Sequence, residues 1–86
     1  MPADTITITL KLFAIYQEAL GQPEKEMILP VGTTAGDVLD QVLEAHPTLA
    51  QWKDLTRFGV NLQFVDAGTA LQDGDELVLI PPVSGG

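Results

Sequence analysis

The 86-residue chain contains no cysteine, which excludes disulfides, thiolate metal ligands and a cysteine nucleophile together. Any sulfur chemistry must therefore use something other than a side-chain thiol. Histidine occurs once, at His46 beside Pro47, with no serine or cysteine arranged to use it as a base, so a structural or solvent-exposed role is expected. Only four lysines and arginines stand against twelve aspartates and glutamates, giving a formal charge of −8. Such a surface repels nucleic acid and anionic membranes, so neither is expected as a partner. Partners should present basic surface, unless the acidity serves solubility alone. No apolar run approaches the roughly 18 residues of a membrane span. Met1-Pro2-Ala3-Asp4 lacks the basic stretch and apolar core of a signal peptide, and the expected location is cytoplasmic. The segment Gly32-Thr33-Thr34-Ala35-Gly36 precedes a helix but has no following Lys-Ser/Thr pair, so the chain should not bind ATP alone. Asp73, Asp75 and Glu76 lack the spacing of a calcium loop and read as a turn; no metal site is expected.

What is present describes one domain. A hydrophobic content of 45% supports a single core of marginal size. Thr5-Ile6-Thr7-Ile8-Thr9-Leu10-Lys11-Leu12 alternates polar and apolar, the mark of a strand with Ile6, Ile8, Leu10 and Leu12 facing inward. Phe13 falls out of phase, so a strand that ran so far would place its ring on the opposite face. Ala14 to Leu20 reads as a short helix closed by Gly21. Glu24 to Leu29 reads as a second strand joined to the first as a hairpin. Thr34 followed by Asp37 predicts a capping box opening the clearest helix, which Pro47 ends and which buries Val38, Leu39, Val42 and Leu43. A shorter helical stretch from Thr48 would carry Leu49, Trp52 and Leu55 along one side.

Val60-Asn61-Leu62-Gln63-Phe64 alternates and reads as one strand, followed by a turn at residues 66–69. Asp73-Gly74-Asp75 then turns into Glu76-Leu77-Val78-Leu79-Ile80, apolar on both faces as central strands are. The order strand, strand, helix, strand, strand suggests an α+β fold, a mixed sheet packed on one main helix in the β-grasp, ubiquitin-like arrangement. Residues 1–80 would form that domain. If Leu77 and Leu79 face the helix, Val78 and Ile80 emerge on the open face near Phe13; the opposite phasing would exchange the pairs. Either way an apolar strip would mark a partner surface.

Residues 81–86 form the second feature, the tail Pro81-Pro82-Val83-Ser84-Gly85-Gly86. Each proline fixes φ and favours an extended predecessor, which projects the tail outward. Lacking a Cβ, Gly85 and Gly86 can thread a channel too narrow for other residues. The five residues after Pro81 could carry the carboxylate at most about 17 Å from the domain. The plain alternative is a frayed terminus.

The block from Leu71-Gln72-Asp73-Gly74-Asp75-Glu76 through Pro81-Pro82-Val83-Ser84-Gly85-Gly86, with Leu12-Phe13-Ala14 and Glu18-Ala19-Leu20-Gly21, resembles the small, sulfur-carrying subunits of molybdopterin synthase. Asn61 falls where that family has an asparagine, expected on a middle strand. Gln17 departs from the family's usual arginine, which puts in doubt any partner contact that arginine makes. The resemblance implies that a ubiquitin-activating-enzyme-like adenylyltransferase uses ATP and Mg²⁺ to convert the Gly86 carboxylate to an acyl-adenylate. A sulfur donor protein then displaces AMP, leaving a thiocarboxylate. It further implies that the large catalytic subunit of molybdopterin synthase receives the tail, and that the sulfur attacks cyclic pyranopterin monophosphate on the way to molybdenum cofactor. Gly86 would carry the sulfur, Gly85 give clearance, Val83 and Ser84 anchor the tail, and Phe13 and Ile80 dock the partner. The chain itself would bind no cofactor and catalyse nothing alone. Two other readings share the fold: a sulfur carrier for thiamine or tRNA thiolation or a protein modifier joined to lysines through Gly86, and an interaction module without covalent chemistry.

Overall fold

The computed structural model describes residues 4–82, and within them a five-stranded sheet lies against one main helix. Strand β1 spans Thr5–Leu12, helix α1 Ala14–Leu20, β2 Glu24–Pro30, α2 Ala35–Ala45, a 3-10 helix Pro47–Leu55, β3 Arg57–Val60, β4 Gln63–Val65 and β5 Glu76–Ile80. The sheet order is β2-β1-β5-β3-β4. The last strand is therefore central, as its two apolar faces require: it pairs parallel with β1 and antiparallel with β3. This is the expected β-grasp arrangement, in which a parallel pair at the centre is made by the two ends of the domain.

Alternation in β1 holds throughout. Ile6, Ile8, Leu10 and Leu12 are buried, and opposite them on β5 Leu77 and Leu79 are buried completely. Val38, Leu39, Val42 and Leu43 of α2 close over this face, joined by Leu29, Phe58 and Leu71. The Thr34 hydroxyl accepts from the Asp37 amide at 3.1 Å while the Asp37 carboxylate accepts from the Thr34 amide at 3.0 Å, completing the capping box. Ala45 ends the helix and His46 caps it ahead of Pro47. Gly21, at φ 75°, ends α1 in the left-handed region that glycine adopts without cost.

Three expectations need correction. The second strand reaches Pro30, and its antiparallel pairing with β1 is connected through α1 rather than by a tight hairpin turn. The stretch after Pro47 is a 3-10 helix in which Leu49 is buried and Trp52 partly so, while Leu55 is exposed. Strand β1 ends at Leu12, as its alternation predicts, and Phe13 keeps extended angles beyond it (φ −131°, ψ 154°). Residues 60–64 are not one strand: Asn61 and Leu62 have φ 49° and 72° and reverse the chain between β3 and β4. Positive φ at both central residues is the pattern of two-residue hairpins. Asn61 accordingly sits in a turn and not on a strand.

Tyr16 of α1 is completely buried, and its hydroxyl bonds the Thr56 hydroxyl, which donates in turn to the Trp52 carbonyl at 2.8 Å. Thr56 has a single proton and spends it on Trp52, so the phenol is the donor to Thr56. Burial pushes the Tyr16 pKa up, opposed by the Thr56 bond. Replacing Tyr16 with Phe is expected to cost about 1 kcal/mol at neutral pH. Because the folded state holds the phenolic proton more tightly, the tyrosine's contribution is complete below its ordinary pKa of about 10 and is lost as pH rises through the folded value. Denaturant melts of wild type and Tyr16→Phe at neutral and alkaline pH should therefore converge as pH increases; a constant gap would contradict a buried neutral phenol.

Candidate functional site

The site is built around the end of β5, where the chain leaves the centre of the sheet. Leu79 points into the core, so Ile80 emerges on the open face, half-buried, with Val78 two residues earlier. On one side the β1 register pairs Lys11 with Val78 and Leu12 with Leu79, and the extended backbone of Phe13 continues that alternation. Phe13 thus shares the open face with Ile80 and is 52% exposed. Ala14, at φ 48°, then bends the chain into α1, a conformation costing an alanine about 1–2 kcal/mol. On the other side β3 pairs Arg57 with Ile80 and Gly59 with Val78. A row of three residues from distant parts of the sequence, Phe13, Ile80 and Arg57, therefore flanks the root of the tail.

Beyond this row the open face is apolar toward β4. Gly59, Leu62, Gln63, Phe64, Val78 and Ile80 line a shallow cavity of about 190 Å³. Phe64 is 77% exposed and Leu62 94%. Large apolar side chains so exposed in one contiguous patch mark a contact surface. In the opposite direction the face turns polar: Lys11 pairs with Glu24 at 2.6 Å and lies 3.9 Å from Glu76, and Glu26 continues the acidic edge. The Glu24 carboxylate, by hydrogen bond and charge, raises the Lys11 pKa.

The turn before β5 is held by its acidic side chains. The Asp73 carboxylate accepts from the Thr7 amide at 2.8 Å, and the Asp75 carboxylate accepts from the Gln72 amide and the Asn61 side-chain amide, both at 2.9 Å. The Asn61 side-chain carbonyl accepts from the Glu76 amide at 3.0 Å, and the Asn61 amide donates to the Glu76 carbonyl. Asn61 therefore clamps the β3–β4 turn to the start of β5, which gives a structural reason for an asparagine there. Among the described residues no group of three or more histidines, aspartates and glutamates is placed to hold a metal ion. Among the same residues no helix is long and apolar enough to cross a membrane.

Of the residues expected to carry function, Phe13 and Ile80 are brought together on one face, and Pro81 and Pro82 follow β5 half-buried. Val83, Ser84, Gly85 and Gly86 lie outside the described residues, and so does the expected projection of the tail. Sequence reasoning missed Arg57, Gly59, Leu62 and Phe64. A glycine after Asn61 would have signalled the hairpin; Leu62 in that place hid it.

Residues 10–86 match the model of the ThiS family. A molybdopterin synthase sulfur carrier subunit of Chlamydomonas reinhardtii is 37% identical over 81 residues, covering 92% of this chain and 98% of that protein. The crystal structure of SAMP1 from Haloferax volcanii superposes with a TM-score of 0.76 at 34% identity, covering 93% of this chain and 99% of that one. A chain of the complex between subunits 1 and 2 of the molybdopterin-converting factor from Helicobacter pylori 26695 shares the fold, with a TM-score of 0.58 at 23% identity over 94% of this chain and all of that one.

Proposed function

Because the chain belongs to the ThiS family, we propose that it is a sulfur carrier, the small subunit of a molybdopterin synthase. Its reactive group is the Gly86 carboxylate. A free carboxylate is a poor electrophile, so a ubiquitin-activating-enzyme-like adenylyltransferase first joins it to AMP from ATP with Mg²⁺, releasing pyrophosphate. A sulfur donor protein then supplies the nucleophile that displaces AMP, and the product is a thiocarboxylate. The tail enters the large catalytic subunit, where its sulfur is transferred to cyclic pyranopterin monophosphate. Those steps belong to the partners; this chain contributes the handle, the tail from Pro81 to Gly86 and a docking face with Phe13 and Ile80.

The observation that supports this reading most is that the Pro-Pro-Val-Ser-Gly-Gly segment directly follows in sequence the central strand, whose end lies beside an apolar open face. A central strand is held on both edges, so the tail springs from a rigid origin and partners can be positioned on the neighbouring surface. The relatives named as sulfur carrier subunits agree with it, and the two-subunit complex of the H. pylori relative is the kind of assembly it requires. Coexpression with an adenylyltransferase and a sulfur source should yield chain whose intact mass shows one oxygen exchanged for sulfur. Unmodified mass under those conditions would refute the proposal.

A second reading has one specific support, the likeness to a small archaeal modifier protein. In that case Gly86 would appear in isopeptide bonds to lysines of other proteins, and tryptic digestion, whose last cleavage site in this chain follows Arg57, would leave residues 58–86 on the modified lysine in place of the thiocarboxylate product. A carrier for thiamine or tRNA thiolation would load sulfur in the same way and differ in its acceptor.

A further inference from the structure

We propose that Gly59 and Arg57 set the orientation of the activating partner, Gly59 by leaving a socket for one bulky apolar side chain and Arg57 by pairing with a carboxylate beside it. The inference rests on the sulfur-carrier reading and names the chemistry its adenylyltransferase must present.

Gly59 lies within β3, paired on one side with Val78 and on the other with Phe64. Glycine inside a strand is less stable there than alanine, so it calls for a reason. Backbone geometry supplies none, because Gly59 is not among the positive-φ glycines. Crowding supplies none either. A Cβ there would stand 3.7 Å from the Gln63 carbonyl oxygen, 3.7 Å from Ile80 Cδ1 and 3.8 Å from Val78 Cβ, all ordinary contacts. What the missing side chain does is deepen the cavity between Val78, Ile80, Phe64 and Leu62. At about 190 Å³ it is smaller than the roughly 300–1,000 Å³ of small-molecule sites, and it suits a single side chain. Its rim points the same way. Leu62 stands almost fully exposed at φ 72°, a conformation disfavoured for leucine, and so it adds strain without adding to the core.

Arg57 is exposed on the same face, beside Ile80, and among the described residues no carboxylate lies within ion-pair distance of it, whereas Lys11, the other cation of this face, is held by Glu24 and Glu76. The open face therefore carries two signs: Glu24, Glu26 and Glu76 at one end and Arg57 at the tail root. An acidic chain attracts a basic partner in many orientations, and a cation at one end of the docking face selects among them. The complementary partner surface has a bulky apolar residue with an acidic neighbour next to the entrance of its tail channel, and basic residues farther off.

The test is pyrophosphate release by the adenylyltransferase of the same organism as a function of carrier concentration, for wild type, Gly59→Ala, Gly59→Val, Arg57→Glu and Arg57→Lys. Gly59→Ala should fold at least as stably as wild type yet raise KM about threefold, and Gly59→Val should raise it about tenfold or more, with kcat unchanged. Arg57→Glu should raise KM about tenfold while Arg57→Lys stays within about threefold of wild type. If Gly59→Val does not fold, Gly59→Ala carries the socket arm alone. Turnover of the wild type with KM unchanged in folded Gly59 and Arg57→Glu variants would overturn the orientation while leaving the carrier reading in place. No turnover of the wild type would overturn both.

Discussion

Removing Gly86 is expected to abolish sulfur loading while leaving the fold intact. The deletion leaves a carboxylate on Gly85, chemically the same group, but withdrawn by about 3.5 Å from any site that the full tail reaches. Displacement of a reacting atom by about 1 Å can already cost 100-fold in rate, so the shortened chain should load at least that much more slowly. Its stability should change by less than about 0.5 kcal/mol, since the last residues of most domains contribute little to the core. Intact mass spectrometry after reconstitution reads the first quantity and circular dichroism the second. Undiminished loading would remove Gly86 from the chemistry; a large fall in melting temperature would mean that the terminus is packed structure.

The largest effect on stability is expected at Leu79. This residue is completely buried at the centre of the sheet, between Leu12 of β1 and Phe58 of β3 in register, and faces the helix side. Truncation to alanine removes its burial and leaves a cavity that a strand held on both edges cannot collapse to fill. A cost of about 3–4 kcal/mol follows, within the range for buried leucines. For a domain of this size that lowers the melting temperature by roughly 15–25 °C. Leu79→Met, which nearly conserves volume, should cost less than about 1.5 kcal/mol. A loss below about 1 kcal/mol for the alanine variant would show that the core relaxes around β5. The root of the tail would then be less rigid than the docking scheme requires.

The Gly59 and Arg57 variants work at the opposite end of the scale, changing recognition without changing the core. Gly59→Ala is the most informative of them, because strand propensity predicts a small gain in stability while the socket predicts a loss of affinity. A merely structural role for Gly59 would move both quantities together.

Much of the fold was legible because the forces that write it act over short stretches. The threonine and apolar alternation of β1 has period two on any sheet. The Thr34–Asp37 capping box closes within one helical turn, and Gly21 satisfies a left-handed position that its own sequence neighbourhood creates. The double-sided apolar run Glu76–Ile80 placed its strand at the centre before any partner strand was known. The misreading at residues 60–64 has an equally local cause. Val60, Leu62 and Phe64 mimic an alternating strand, yet they belong to a core-facing strand end, an exposed turn and the open face in that order.

By itself the sequence determined a small acidic α+β domain, the two faces of its first strand, its main helix and the Pro-Pro-Val-Ser-Gly-Gly ending, all of them consequences of composition, alternation and caps. Only the tertiary structure decided that residues 13, 80 and 57 form one row at the tail root, that Asn61 braces Asp75 and Glu76, and that Phe64 and Leu62 rim a cavity floored by Gly59. The physical reason is register. Pairing between strands tens of residues apart is set by how the whole core closes, and no single stretch of chain carries that information.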